Sequence, residues 1–293
     1  MIIGEKIIAF GDSFTLGIGT DWNFEESNLG EHPLWNKMSE EEKLIQRLKV
    51  GEFRLQNSYP KFFADKLNIK FENYADTGSS NIEIINNIFK YHEEFNEGDI
   101  ILVGFTSSLR DPLPFLPTAK GKNPHNFDGA KLAWNQKVFN IVKERLNTSG
   151  LKKIKRKFYF SHIPTIPDDS IYRFFEEYNK SYITKMHDEY YYDFYNKNII
   201  YLLQEFFQYK KVQYIFFDAF DSMLREKVSE IDERFYWGIR NKTIFSYLSS
   251  YKDESLLELK DYNKSKDTPR HPSAKGHKLF ANELYRFYKK ITL

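Results

Sequence analysis

The sequence predicts an α/β fold: a three-layer sandwich in which helices cover both faces of a doubly wound, five-stranded parallel sheet. Three observations carry that expectation. Short, almost wholly apolar runs such as Ile100-Ile101-Leu102-Val103 recur along the chain, as strands buried on both faces should. Stretches with apolar residues at helical spacing separate these runs, the alternation of a parallel sheet built from βαβ units. Several of the runs end in clusters of Gly, Asp, Ser and Thr. Such clusters belong at the carboxyl edge of the sheet, where open α/β folds place their ligands.

Taken in order, the first strand is the run over residues 6–10, stopped abruptly by Gly11-Asp12-Ser13. Residues 17–51 are polar and loop-like, apart from Ser39 and Glu42, whose spacing predicts a capped short helix over 40–49. Residues 58–67 form an amphipathic helix with Pro60 in its first turn. A second strand over 69–74 ends in Ala75-Asp76-Thr77-Gly78-Ser79-Ser80-Asn81, and Ile82, Ile85, Ile88 and Phe89 then recur at helical spacing. Glu97-Gly98-Asp99 turns the chain into the third strand, 100–103, which closes in Gly104-Phe105-Thr106-Ser107-Ser108.

A proline-rich loop (Pro112, Pro114, Pro117, Pro124) leads to a helix over 128–147 and a fourth strand over 157–161 that closes at His162. Residues 170–208, rich in Tyr and Phe, read as helical, and 212–217 as the fifth strand. The mixed stretch 218–250 places Arg234, Phe235, Tyr236 and Trp237 in a helix or lid. From Ser273 a last helix carries Leu279, Phe280, Leu284 and Phe287 on one face. Without repeats or low-complexity linkers, 1–293 reads as one domain with insertions near 17–57, 107–127 and 165–208.

Composition excludes several function classes. A net charge of +2 with interspersed signs gives no reason to expect a nucleic-acid partner. The basic run 152–157 precedes an apolar strand and reads as a solvated helix end or loop. With no cysteine there is no disulfide, thiolate metal site or cysteine nucleophile. His32, His92, His125 and His187 lack ligand spacing, so neither a metal nor any other cofactor is expected. No signal peptide is visible and no window approaches the length of a membrane-spanning helix, so the expected location is cytoplasmic. The 17% aromatic share (27 Phe, 20 Tyr) is high; many of these residues belong to the core, and an excess can also line a cleft. Trp22, Trp35, Phe115, Tyr236 and Trp237 are candidates for an apolar or sugar-stacking cleft.

Four polar clusters remain as candidate chemistry: Gly11-Asp12-Ser13, 76–81, Gly104-Phe105-Thr106-Ser107, and Asp267-Thr268-Pro269-Arg270-His271-Pro272. The first three lie side by side at the edge of a doubly wound sheet, and the fourth precedes the helix that returns the chain there. Convergence of a nucleophile, a base and hydrogen-bond donors is what acyl transfer needs. Each cluster also has a plain reading: Gly-Asp-Ser as a turn, Gly78 as a turn glycine, His271 as a surface histidine, His277 as a structural residue of the last helix.

On these residues the sequence resembles the SGNH (GDSL-like) hydrolase superfamily. That resemblance implies a flavodoxin-like strand order 2-1-3-4-5 and a serine esterase with Ser13 as nucleophile and His271 as base. It also implies Asp267 as the carboxylate that orients His271, and an oxyanion hole from the Ser13 and Gly78 N–H groups. His271-Pro272 followed by Ser273-Ala274-Lys275-Gly276-His277 is typical of the family. Two departures stand out. Thr106 occupies the place of the oxyanion-hole asparagine, leaving a hydroxyl of Thr106 or Ser107 as the donor. Asp267 lies four residues before His271 where three are usual, so that either Asp267 reaches the imidazole through an altered turn or the orienting carboxylate is absent or comes from elsewhere.

The expected substrate is an ester of a small acyl group such as acetyl, on a small molecule or a carbohydrate. Two alternatives stay open: a fold-retaining binding or structural protein with weak or absent catalysis, and an acyltransferase using the same residues.

Overall fold

The structure, a computed structural model, describes residues 6–21, 37–106, 111–112, 160–161, 189–257 and 270–292. In chain order its elements are β1 (Lys6–Phe10), α1 (Ser13–Leu16), α2 (Glu40–Gln56), α3 (Tyr59–Leu67), β2 (Lys70–Asn73), α4 (Asn81–Tyr91) and β3 (Ile100–Phe105). Then come β4 (Asp111–Pro112), β5 (Phe160–Ser161), α5 (Glu189–Tyr209), β6 (Gln213–Asp218), α6 (Ile244–Ser250) and α7 (Ala274–Thr292).

β2, β1, β3 and β6 form a parallel sheet in that order. Successive side chains of a strand point to opposite faces, and here both faces are covered. Ile7, Ala9, Ile100, Leu102, Ile215 and Phe217 pack against Tyr59 and Phe63 of α3, Ile244 and Leu248 of α6, and Phe280 and Leu284 of α7. Ile8, Phe10, Ile101, Val103, Tyr214 and Phe216 pack against Ile84 and Ile88 of α4 and Ile200, Leu203 and Phe207 of α5. Full burial of an Ile, Leu, Val or Phe side chain contributes about 1.5–3 kcal/mol, so both faces of these strands add to the cohesion of the core. The three-layer α/β architecture is therefore as the sequence predicts.

Strand number and order differ in one respect. β6 pairs directly with β3, from Ile100↔Gln213 to Phe105↔Asp218, which leaves no place between them for a strand at 157–161. Of that stretch only Phe160–Ser161 is described, and it pairs with Asp111–Pro112 in a separate two-stranded sheet. The main sheet thus has four strands among the described residues, and the stretch expected as the fifth strand occupies the fourth place. The outer edge of β6 is partly covered by Tyr236, which bridges in parallel to Phe216, and the Trp237 N–H donates to Phe216 O at 2.8 Å.

Of the helix or lid expected at 234–237, the helix is present as a short 3₁₀ turn over Glu233–Phe235, and the lid is not. Tyr236 and Trp237 are core residues, 2% and 3% exposed, and Trp237 packs edge-on against Phe280 and Tyr247. The helix expected over 40–49 starts at the Ser39–Glu42 capping box but continues to Gln56. A glycine inside a helix costs only about 1 kcal/mol relative to alanine, so Gly51 does not end it.

Candidate active site

The chain leaves β1 through Gly11, where any side chain is excluded. A Cβ there would stand 2.0 Å from Thr15 Oγ1 and 3.1 Å from Gly104 O; at Gly104 it would stand 2.8 Å from the same Thr15 oxygen. The two glycines let the first turn of α1 sit directly over the ends of β1 and β3. Asp12 is the N-cap of that turn: its Oδ1 accepts the Phe14 N–H at 3.0 Å, and its carbonyl accepts the Thr15 and Leu16 N–H groups. Gly17, with φ 94°, ends it. Tyr59 from α3 donates its hydroxyl to Thr15 Oγ1, and Asn73 at the end of β2 donates to Thr15 O, both at 2.8 Å. Ser13 is consequently the first residue of a tightly fixed turn, and its N–H has no intrahelical acceptor.

His271 arrives from the far end of the chain. Pro272 bridges antiparallel to Leu257, the Ser273 N–H donates to Leu256 O at 3.0 Å, and Ser273 Oγ donates to Ser255 O at 2.6 Å. Gly276 permits the approach, since a Cβ there would lie 2.1 Å from Leu256 O. These contacts set the imidazole of His271 beside the Phe14 ring, with Nε2 2.9 Å from Ser13 Oγ. A hydroxyl within hydrogen-bond reach of an imidazole nitrogen is the geometry of a nucleophile and its base.

The loop after β2 closes the site. The Asp76 N–H donates to Gly11 O at 3.2 Å, Gly78 takes a left-handed φ of 77°, and Ser80 with Glu83 forms the capping box that starts α4. Neither Ser13 N–H nor Gly78 N–H has an acceptor among the described residues. Thr106 is arranged otherwise than as an oxyanion donor. It is fully buried, and its hydroxyl donates to Asp12 Oδ2 at 2.8 Å. A hydroxyl has one proton to give, and in this arrangement Asp12 holds it. Thr106 is also clamped by Asn81, whose Oδ1 accepts its N–H at 2.9 Å and whose Nδ2 donates to its carbonyl at 3.2 Å. The sequence assigns Asn81 no role beyond the polar cluster 76–81; its position as first residue of α4, fixed by the capping box, is the signal that points to it.

No protein-family model matches the chain, and no curated protein matches it. Solved structures to which the chain is similar include the following two. One is a protein assigned as lipolytic, of the G-D-S-L family, from Desulfitobacterium hafniense DCB-2, at 13% identity and TM-score 0.30, covering 97% of this chain and 99% of that one. The other is a carbohydrate esterase whose active site displays divergent catalytic and non-catalytic binding functions, at 13% identity and TM-score 0.40, covering 100% of this chain and 68% of that one. Similarity at this level says nothing of chemistry, which stands on the geometry above.

Two buried titratable groups, His277 and Asp218, have clearly shifted pKa values. His277 is fully buried and stacks on Tyr59, with its Nδ1 accepting the Tyr59 N–H at 3.1 Å. Its Nε2 has no partner of hydrogen-bonding geometry. Burial lowers its pKa to about 3, opposed by the backbone of Ile18 and reinforced by His271. Asp218, at the end of β6, accepts the Tyr236 hydroxyl at 2.7 Å on Oδ1, while Oδ2 lacks a partner of good geometry. Burial raises its pKa to about 7 against the lowering effect of Tyr236.

Asp267, His162, Trp22, Trp35 and Phe115 lie outside the described residues. Among the described residues no group of three or more acidic or histidine side chains is arranged to hold a metal, and no helix is long and apolar enough to cross a membrane.

Proposed function

We propose that this protein is a serine esterase that cleaves an ester-linked small acyl group through an acyl-enzyme on Ser13. The observation that carries the reading is the 2.9 Å approach of His271 Nε2 to Ser13 Oγ. Ser13 Oγ attacks the ester carbonyl as its proton passes to His271 Nε2. The tetrahedral intermediate then collapses, and His271 returns the proton to the departing alkoxide. Water repeats the sequence on the acyl-enzyme: His271 takes a proton from it, the hydroxide displaces Ser13, and the free acid leaves.

The backbone N–H groups of Ser13 and Gly78 hold the developing oxyanion, the first in the opening turn of α1 and the second in the left-handed turn after β2. With the Thr106 hydroxyl given to Asp12, the hole has two donors among the described residues. One fewer donor typically costs about 100–1,000-fold in rate, so a slow turnover is expected. Asp267 orients His271 in this reading, on the strength of its sequence position alone.

Acetyl is the first acyl group to test. Tyr236 and Trp237 belong to the core, so a carbohydrate alcohol is supported only by the aromatic residues Trp22, Trp35 and Phe115. Hydrolysis of acetyl and longer acyl esters, on simple alcohols and on sugars, decides the class. Prompt labelling of Ser13 by a fluorophosphonate and loss of turnover in Ser13→Ala are the expected results; equal rates for wild type and Ser13→Ala overturn the mechanism.

A further inference from the structure

We infer that Thr106 is a positioning residue that ties together the three loops at the carboxyl edge, holding the nucleophile turn and the Gly78 turn in register. For its catalytic consequence the inference rests on the esterase reading above. Thr106 is the first residue past β3 and spends every polar group it has on the neighbouring loops. Its hydroxyl goes to Asp12 of the first loop at 2.8 Å, and its N–H and carbonyl go to Asn81 beyond the second at 2.9 and 3.2 Å.

Both partners are themselves fixed. Asp12 uses its other oxygen to cap the turn that begins with Ser13. Asn81 directs its Nδ2 at Met223 Sδ as well, 3.1 Å away, and so reaches the loop after β6. The three residues are 0%, 0% and 5% exposed, so water does not compete for any of these bonds.

The physical consequence is directional. Without the Thr106 hydroxyl the Asp12 carboxylate loses one of the hydrogen bonds that hold it, and a buried polar group left short of a donor shifts to regain one. That shift moves the N-cap of α1, and with it Ser13 Oγ and Ser13 N–H together. The Asn81 clamp passes the same constraint to the segment that carries Gly78, three residues earlier in the chain. A hydroxyl at 106 thus acts on the reaction through two other residues and without touching substrate. Displacement of reacting groups by about 1 Å is enough to cost about 100-fold in rate.

The test compares Thr106→Val, which keeps the shape and removes the hydroxyl, with Thr106→Ser, which keeps the hydroxyl. Each full-length variant is assayed for kcat and KM on an acetyl ester and for amide hydrogen exchange over residues 12–18 and 76–83. In Thr106→Val, kcat is expected to fall about 10- to 100-fold with KM within about twofold, and exchange to speed up in both segments. Thr106→Ser is expected to recover kcat to within about threefold of wild type and to restore slow exchange. Unchanged kcat in Thr106→Val, or a loss that Thr106→Ser shares equally, overturns the inference while leaving the esterase reading intact. If wild type cleaves no ester, the esterase reading fails, and exchange still decides the tie: faster in Val but not in Ser upholds it, no difference removes it.

Discussion

His271 Nε2 and Ser13 Oγ, 258 residues apart in sequence, lie 2.9 Å from one another at the carboxyl edge of the sheet. The two groups work as a unit in the proposed mechanism, so their removal should not be additive. Ser13→Ala and His271→Ala are each expected to lower kcat about 1,000-fold or more, with the double variant no slower than the worse single one. Steady-state kinetics on one ester for all four proteins measures this. A double variant slower by the product of the two losses would mean that the residues act independently.

Gly11 is expected to tolerate no side chain. Its Cβ would fall 2.0 Å from Thr15 Oγ1 and 2.7 Å from Thr15 Cβ, atoms of the turn that presents Ser13. Overpacking of this kind costs about 1–3 kcal/mol or more. Gly11→Ala should therefore lower the urea midpoint with an unchanged m-value, and it should slow labelling of Ser13 in the fraction that remains folded. A midpoint equal to wild type would show that the turn can shift freely.

Much of this edge was legible in the sequence because its parts are local. An apolar run stopped by Gly-Asp-Ser, or the helical spacing of Ile82, Ile85, Ile88 and Phe89 after a polar cluster, is dictated by residues a few positions apart. The pairing of β6 with β3 is not of that kind. The runs 157–161 and 212–217 are alike in composition, and only long-range packing decides which of them lies beside β3. Tyr236 and Trp237 misled for a related reason: an aromatic pair after a charged stretch reads as surface, yet its backbone completes the edge of β6. The place of Thr106 after β3 predicts an oxyanion donor. Its bond to Asp12 depends on two loops meeting, which no spacing within either loop reveals.

His277 should make the fold acid-sensitive. Burial holds its folded pKa at about 3, below the ordinary 6.5, so on acidification the unfolded chain takes up the proton first. Its contribution is complete above pH 6.5 and is lost as pH falls toward 3. Over that window the loss is on the order of 4–5 kcal/mol. His277→Gln retains an acceptor for the Tyr59 N–H and removes the titration. Its stability is expected to be lower at neutral pH but flatter between pH 6.5 and 3, as read by urea unfolding at several pH values. An unchanged slope would mean that His277 is accessible to protons in the folded state.

Asp218 works in the opposite sense. Burial raises its folded pKa from 3.8 to about 7, so the folded state keeps a proton that the unfolded chain gives up. Stability from this group is present in full below pH 3.8 and is lost as pH rises to about 7, a change on the order of 4 kcal/mol. Between pH 4 and 6.5 it opposes the His277 effect, and wild-type stability should be nearly level there. Asp218→Asn keeps an acceptor for the Tyr236 hydroxyl and stays neutral at every pH. It is expected to gain stability relative to wild type as pH rises from 4 to 8 and to expose the His277 slope that Asp218 otherwise masks. The difference in unfolding free energy between the two proteins, followed across that range, measures the Asp218 titration directly; a constant difference would place its pKa near the ordinary carboxylate value.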